Sequence, residues 1–507
     1  MKKMFVISLL VLILTLGCAQ KTAEKEEIKE KSIVIGEIWE IESADPVRAG
    51  TLVREKAMLV ENLVGINPDL SLRPWLAISW TQLDEKTWIF ELRKGVKFHN
   101  GKEIKASDVK WSIERALRMS PPLKSMTMID SVEVIDDYRI KIKTEKSNSI
   151  LPATLAYSDL AIISPDSELE GDVVVKPIGT GPFKFVEWRP AEKTLIVEKF
   201  NEYWGSKAKV DKLIFKAITD PSSRTLALEA GEVDLTYDFA YGDIERLKSK
   251  FKVELYSTNR VYQITFGSVV GSYFEDPRVR KAISMAIDRE GIARALHGAA
   301  EPAYSIVLPN LWWAGKRCEY YEYNPEKARK LLEEAGWRLG SDGVLEKDGK
   351  KFEITIYTYP QRPGLKPMAE VIAKNLEGIG IRANIRVMEY SAIPKFMKEN
   401  DIRLAAFHQT MVPDPDYYLR RTYAGDFNTF NYSNQKLNEL LDKGIKTVDI
   451  EERKKIYTEV QEIVCEDLPV IHVAFYKVPI AYKPNVKNVI FNPAAHDIWL
   501  NHEIDVS

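Results

Sequence analysis

Residues 90–109 read FELRKGVKFHNGKEIKASDV. The run Trp88–Leu92 is a strand. Ser107 then caps a predicted helix that carries Trp111, Ile113, Ala116 and Leu117 at helical spacing. A strand that feeds an amphipathic helix is one unit of an α/β layer. The same alternation continues on both sides.

Downstream, Val132 to Ile142 reads as a hairpin around Asp136 and Asp137. Leu195–Val197 and Lys212–Ala217 are strands. A helix from Pro221 to Ala230 stops at Gly231. Asp276-Pro277 and Asn324-Pro325 are each a cap followed by Pro at the first helical position. The first opens a helix with Val279, Ile283 and Ala286. The second opens one over Ala328–Ala335, ended by Gly336. Phe352–Tyr359 is a strand, Met368–Leu376 a helix and Ile385–Met388 a strand. Glu451–Val464 is a helix and Val470–Phe475 a strand. This mixed order predicts α/β layers with largely parallel sheets, and no internal repeat interrupts it.

The chain has 507 residues, a length that suggests roughly three domains. Lys+Arg number 72 and Asp+Glu 74, a net charge of 72 − 74 = −2. No basic stripe is present, which argues against a nucleic-acid partner. Hydrophobic residues at 45% and charged residues at 29% are globular values. Three cysteines are too few for a disulfide framework, and pairing of Cys318 with Cys465 is left open by the sequence.

Lys2 and Lys3 precede an apolar stretch, Met4–Leu16, too short for a comfortable membrane span. It ends Leu14-Thr15-Leu16-Gly17-Cys18, which resembles a bacterial lipobox. The expectation is a signal peptide over 1–17, a lipid on Cys18 and a solvated tether over 18–31. An ordinary secretory signal is the alternative. The mature chain would lose the two lysines, leaving 70 − 74 = −4. The expected location is the outer face of the cytoplasmic membrane, or the periplasm.

Catalytic signatures are sparse. GxxxxGK[ST], GxGxxG, HExxH and GxSxG do not occur. Gly179-Thr180-Gly181-Pro182-Phe183 is glycine-rich, but Pro182 removes a donor that a phosphate cradle needs. The six histidines, at 99, 297, 408, 472, 496 and 502, show no i, i+4 metal spacing. His496 and His502 are near in sequence and read as satisfied or solvated. Asp414 and Asp416 in Pro413-Asp-Pro-Asp416 read as a rigid turn, with Asp416 capping the next helix, rather than as a calcium loop. The reading is a non-enzyme without cofactor or metal. A secreted α/β hydrolase or glycosidase is the competing class.

Several segments in order resemble the family 5 extracellular solute-binding proteins of ABC importers for oligopeptides, dipeptides and nickel. They are the opening stretch at 90–109, PWLAISW (74–80), IGTGPF (178–183), NEYWG (201–205), DPRVRKAI (276–283) with AIDR (286–289), YNPEKARKLL (323–332) with AGW (335–337), and PDP (413–415). The resemblance covers about residues 60–480. It implies an α/β, class II periplasmic-binding-protein-like fold, bilobal with a third inserted domain, three lobes in all. Domain I would comprise 32–50, 176–260 and 478–507, domain II 51–175, and domain III 261–477. Hinges would fall near 262–266 and 473–476. Closure on a ligand is driven by its contacts with both lobes.

In peptide-binding relatives an Asp in a Trp-rich loop before the Pro-Asp-Pro turn holds the ligand's amine. Here that loop is Phe407-His-Gln-Thr-Met-Val-Pro-Asp414, without the Trp and the anchoring Asp at their places; Met411 and Val412 stand nearby. The expected function is nonetheless capture of a small solute, a di- or oligopeptide, by a monomer that delivers it to permease subunits. The alternatives are a nickel–chelator complex, with His408 as ligand and Arg48 as a carboxylate partner, or an oligosaccharide stacked on Trp39, Tyr157, Tyr262, Trp312, Trp313 or Tyr423. The candidate binding residues are Trp39, Arg48, Tyr157, Tyr262, His408, Gln409, Met411, Asp414 and Tyr423.

Overall fold

The computed structural model describes residues 30–425, 428–492 and 498–507. The expected signal peptide, Cys18, most of the tether and His496 lie outside the described residues. Among the described residues no helix is long and apolar enough to cross a membrane.

The core is a mixed eleven-stranded sheet. Its first half holds the strands Phe183–Arg189, Thr194–Lys199, Lys212–Ala217, Ser32–Glu37 and Leu235–Tyr237, in that spatial order. Its second half holds Ile402–His408, Glu353–Thr358 and Arg382–Val387. Two long strands, Lys252–Phe266 and Val470–Tyr482, lie between the halves and belong to both. Lys252–Ser257 pairs with Tyr482–Lys477 beside Leu235–Tyr237; Val261–Thr265 pairs with Phe475–Val470 beside Ile402–His408. The register slips between Ser257 and Val261, and again between Tyr262 and Gln263. Such irregularities bend a strand and sharpen its twist.

The expectation of largely parallel sheets holds only in part. Ser32–Glu37 is parallel to both neighbours, and Glu353–Thr358 to both of its own. The remaining ladders of the large sheet are antiparallel, because consecutive strands there return by hairpins or by the long shared pair.

A separate antiparallel sheet orders Ala77–Asp84, Thr87–Leu92, Arg139–Thr144 and Ile129–Asp136. Phe90, Leu92, Ile140 and Ile142 are buried in it, and helix Ala106–Met119 packs on its Ile129–Asp136 side with Val109 and Ile113 inward. This helix starts one residue before the expected Ser107 cap. Lys105 is the cap residue, and its N–H donates to the Asp108 carboxylate at 2.8 Å. The Asx-Pro devices do open helices: Asp276 accepts from Arg278 N at 2.9 Å and Asn324 from Lys327 N at 2.9 Å.

The glycines of Gly179-Thr-Gly181 serve close approach. A Cβ on Gly179 would lie 2.0 Å from Leu59 O, and one on Gly181 2.0 Å from Met58 O. The half-buried His99 ring bridges the same stretch. Its Nδ1 accepts from Gly179 N at 3.2 Å, and its Nε2 lies 3.1 Å from Gly181 O. Burial pulls the pKa of His99 down to about 4, which keeps it neutral. Two of the motifs noted above thus lock together. Cys318 and Cys465 form a disulfide that ties the Glu319–Tyr321 turn to helix Ile450–Asp467.

Candidate functional site

Open α/β sheets bind ligands beyond the carboxyl ends of their strands, where the strand order reverses. Here the carboxyl ends of both halves meet. Asp238 follows strand Leu235–Tyr237 in the first half, and Arg362 follows Glu353–Thr358 in the second. Asp238 Oδ2 and Arg362 Nη1 are 2.7 Å apart, with side chains 0% and 1% exposed. Asp238 holds a left-handed φ of 51°, which Asp tolerates better than most residues. Its carbonyl is fixed by Arg224 Nη2, and its second carboxylate oxygen accepts from Tyr241 OH at 3.0 Å.

Aromatic rings frame this pair. The Arg362 guanidinium carbon lies 5.4 Å from the Trp39 ring centre and 5.6 Å from that of Tyr476. Tyr262 stands edge-on to Tyr476 at 5.1 Å. Burial raises the pKa of Tyr241, Tyr262 and Tyr476 well above the ordinary value, so these hydroxyls act as neutral hydrogen-bonding groups.

Positive charge gathers on the second half. Arg260 is buried and opposite His408 in the ladder. Arg260 and Arg362 both act on Tyr359, whose pKa burial nonetheless raises. Arg403 lies 5.7 Å from the Tyr390 ring centre and 5.6 Å from that of Phe407. His408 accepts from Thr410 N through Nδ1 at 3.1 Å.

A second meeting place joins residues 149–159 to residues 411–445. Ala153, Val412 and Tyr417 form a small apolar cluster, with Tyr157 and Met411 packed against it. The Tyr157 and Tyr417 rings are 6.4 Å apart. Ser149 donates twice to Ile445 O, from N at 3.1 Å and from Oγ at 2.7 Å. Arg421 stacks on Tyr417, 4.9 Å from its ring centre. Burial pushes the Asp159 carboxyl up to about 7, against hydrogen bonds from Ser158 and Tyr157 and the charge of Arg421.

The candidate residues therefore divide. Trp39 and Tyr262 come together around Asp238 and Arg362, and Tyr157 and Met411 around Tyr417. His408 ends the strand that carries Arg403. Gln409 holds a loop: its Nε2 donates to Ile306 O at 2.8 Å and its Oε1 accepts from Leu308 N at 3.3 Å. Asp414 caps helix Pro415–Tyr423, taking the place expected of Asp416, and pairs with both Arg453 Nη atoms at 2.7 Å. Asp416 pairs with Arg420 at 2.8 Å and accepts from Tyr457 OH at 3.1 Å. Tyr423 is buried near Tyr418, Tyr321 and Tyr432. Arg48 is exposed on the short helix Pro46–Gly50.

Sequence reasoning missed Asp238, Arg260, Arg362 and Arg421. Spacing gives no sign of them. The carboxyl-end rule, applied to the residues just after Tyr237 and Thr358, would have flagged the first and third.

The sequence model of "Bacterial extracellular solute-binding proteins, family 5 Middle" matches residues 71–430. Heme-binding protein A of Haemophilus influenzae is 29% identical over 474 residues, covering 86% of this chain and 84% of that protein. Glutathione-binding protein GsiB of Salmonella paratyphi A is 27% identical over 496 residues, with 93% and 94% covered. The crystal structure of a nickel ABC transporter protein from Bacillus halodurans superimposes with a TM-score of 0.76 at 30% identity, covering 94% of this chain and all of that one. The match takes in most of the chain and all of the strands that build the second half, so the chain belongs to the family 5 extracellular solute-binding proteins, which bind cargo for ABC importers and are not enzymes.

Proposed function

We propose that the chain is a lipid-anchored receptor, working as a monomer, that clamps a short peptide bearing free carboxylates and presents it to importer permease subunits. The clamp is the meeting of the two halves of the large sheet, with residues 51–175 as the inserted third lobe. The register slips in the two long strands serve as hinges, because a shared ladder can bend there without breaking its pairing.

One observation carries the reading: the carboxyl ends of both halves converge on Asp238 and Arg362, 2.7 Å apart. Beside them Arg260 shares Tyr359 with Arg362. Arginine forks match carboxylates. The loop lacks the amine-anchoring Asp, and Met411 near its place packs against apolar neighbours, so the grip falls on the carboxylate end. Glutathione, named for one relative, has that chemistry. A carboxylate-chelated metal is the second reading, favoured by His408 lying opposite Arg260 and by the nickel-protein neighbour.

Native mass spectrometry of protein purified without refolding tests the cargo class. The expected excess mass is that of short peptides. Calorimetry with tripeptides follows, and amidation of the carboxyl terminus is expected to weaken binding roughly tenfold or more. Metal in the retained cargo, or a sugar mass, would overturn the peptide reading. The mature mass, read from membrane extracts, is expected to begin at Cys18 with a diacylglycerol.

A further inference from the structure

Away from the meeting of the halves, several chain segments line a half-open cavity of about 400 Å³. The π-helix Thr51–Lys56 contributes Arg54, and the hairpin Val64–Ile66 with Leu72–Pro74 contributes Arg73. Trp75, Tyr203 and Trp499 supply aromatic walls. A π-helical turn is rare and often marks a functional site.

Among the described residues neither arginine has an ordinary acceptor. Arg54 is 6% exposed, and its guanidinium carbon lies 4.2 Å from the Trp499 ring centre. Among the described residues its side chain makes no hydrogen bond, and its one ion contact, to Glu55, is long at 3.6 Å. Burial pulls its pKa down to about 10; Glu55 and Glu61 oppose this, and the like charge of Arg73 adds to it. Arg73 lies 4.1 Å from the Trp75 ring centre, and its Nε is buried without a partner among the described residues. Gly65 makes room for it, since a Cβ there would lie 2.9 Å from Arg73 Cγ.

The carboxylate in the wall is already engaged. Glu61 accepts from Trp75 Nε1 at 2.9 Å, Tyr203 OH at 2.8 Å, Thr180 Oγ1 at 2.7 Å and Trp204 Nε1 at 2.9 Å. Among the described residues, a buried cation without a hydrogen-bonded acceptor beside a half-buried one is costly. An incoming oxyanion removes that cost. The volume lies within the range of small-molecule sites, and aromatic side chains in the lining favour a flat body.

We propose that this cavity is a second ligand site, separate from the peptide clamp, that takes a small aromatic carboxylate. Arg54 and Arg73 fork its carboxylate, and Trp75, Tyr203 and Trp499 pack its ring.

Calorimetric titration with benzoate, benzamide and inorganic phosphate tests this on the wild type and on Arg54→Met, Arg73→Met and Arg362→Met. Benzoate is expected to bind saturably at one site. Benzamide, and benzoate with either Arg54→Met or Arg73→Met, are expected to bind roughly tenfold weaker or less. Arg362→Met is expected to keep full benzoate affinity. Circular dichroism melting checks each fold, and Arg73→Met, at a half-buried position, carries the test if Arg54→Met does not fold. The proposal is overturned by no saturable benzoate binding, by equal affinity for benzamide, by phosphate binding as tightly as benzoate, or by loss in Arg362→Met alone.

Discussion

Two buried carboxylate–guanidinium pairs stand in contrast. Asp414 and Arg453 lie within the second half and meet fork to fork, with two contacts of 2.7 Å. Asp238 and Arg362 come from opposite halves and meet through one 2.7 Å contact. The first Asp also caps a helix, so its oxygens are spent on local structure. The second pair sits among rings at the end of both parallel groups. The same two residue types serve folding in one place and joining in the other. The difference lies in which chain segments they connect.

The sharpest way to break this contrast is Asp414→Ala. It leaves Arg453 buried without its acceptor and is expected to cost about 3–5 kcal/mol, read by urea unfolding, with cargo affinity of the folded fraction kept. Lost affinity at full stability would move Asp414 into the binding site. Reduction of the Cys318–Cys465 disulfide, which closes a separation of 147 residues, extends the comparison. Stability is expected to fall by about 2–5 kcal/mol, again with little change in cargo affinity. Arg362→Met tests the other side. It leaves Asp238 buried without its cation, so stability is also expected to fall by about 3–5 kcal/mol, but here the cargo affinity of the folded fraction falls with it, by about 1–3 kcal/mol, measured by calorimetry. A large melting shift with unchanged affinity would make this pair a second folding pair.

The smallest effect is a pH dependence at the Tyr157–Tyr417 contact. The folded pKa of Asp159, about 7, lies above its ordinary value of 3.8. Its contribution is therefore most favourable below about pH 4 and is lost as pH rises to 7. His472 behaves oppositely: burial lowers its pKa to about 3 from 6.5, and stability falls as pH drops through that window. Comparing wild type with Asp159→Asn isolates the first term, expected at about 1 kcal/mol after solvent screening. Equal pH profiles for the two proteins would remove Asp159 from the contact.

Local signals in the sequence carried the fold well. Asp276-Pro277 and Asn324-Pro325 opened helices because the cap and the fixed proline φ act within a few residues. Strand Lys212–Ala217 kept its expected bounds. The long strands were underestimated. Val470–Phe475 continues to Tyr482, since its length is set by two sets of neighbours that periodicity does not reveal. The site was less legible. Trp39 and Tyr262 arrive where Asp238 and Arg362 meet, yet those two are 124 residues apart and lie in unremarkable loops. Gln409 and Asp414 looked exposed to ligand because they flank the turn. Their partners, Ile306 and Arg453, come from distant segments.

The tight fit at Gly179 and Gly181 bears on engineering. Replacing glycine with alanine usually stiffens the unfolded chain and raises melting points. Here the obstacle is a carbonyl oxygen rather than a torsion angle, so even a methyl group would pry Met58 and Leu59 away and release the imidazole staple of His99. A thermostabilised variant must leave these two positions bare.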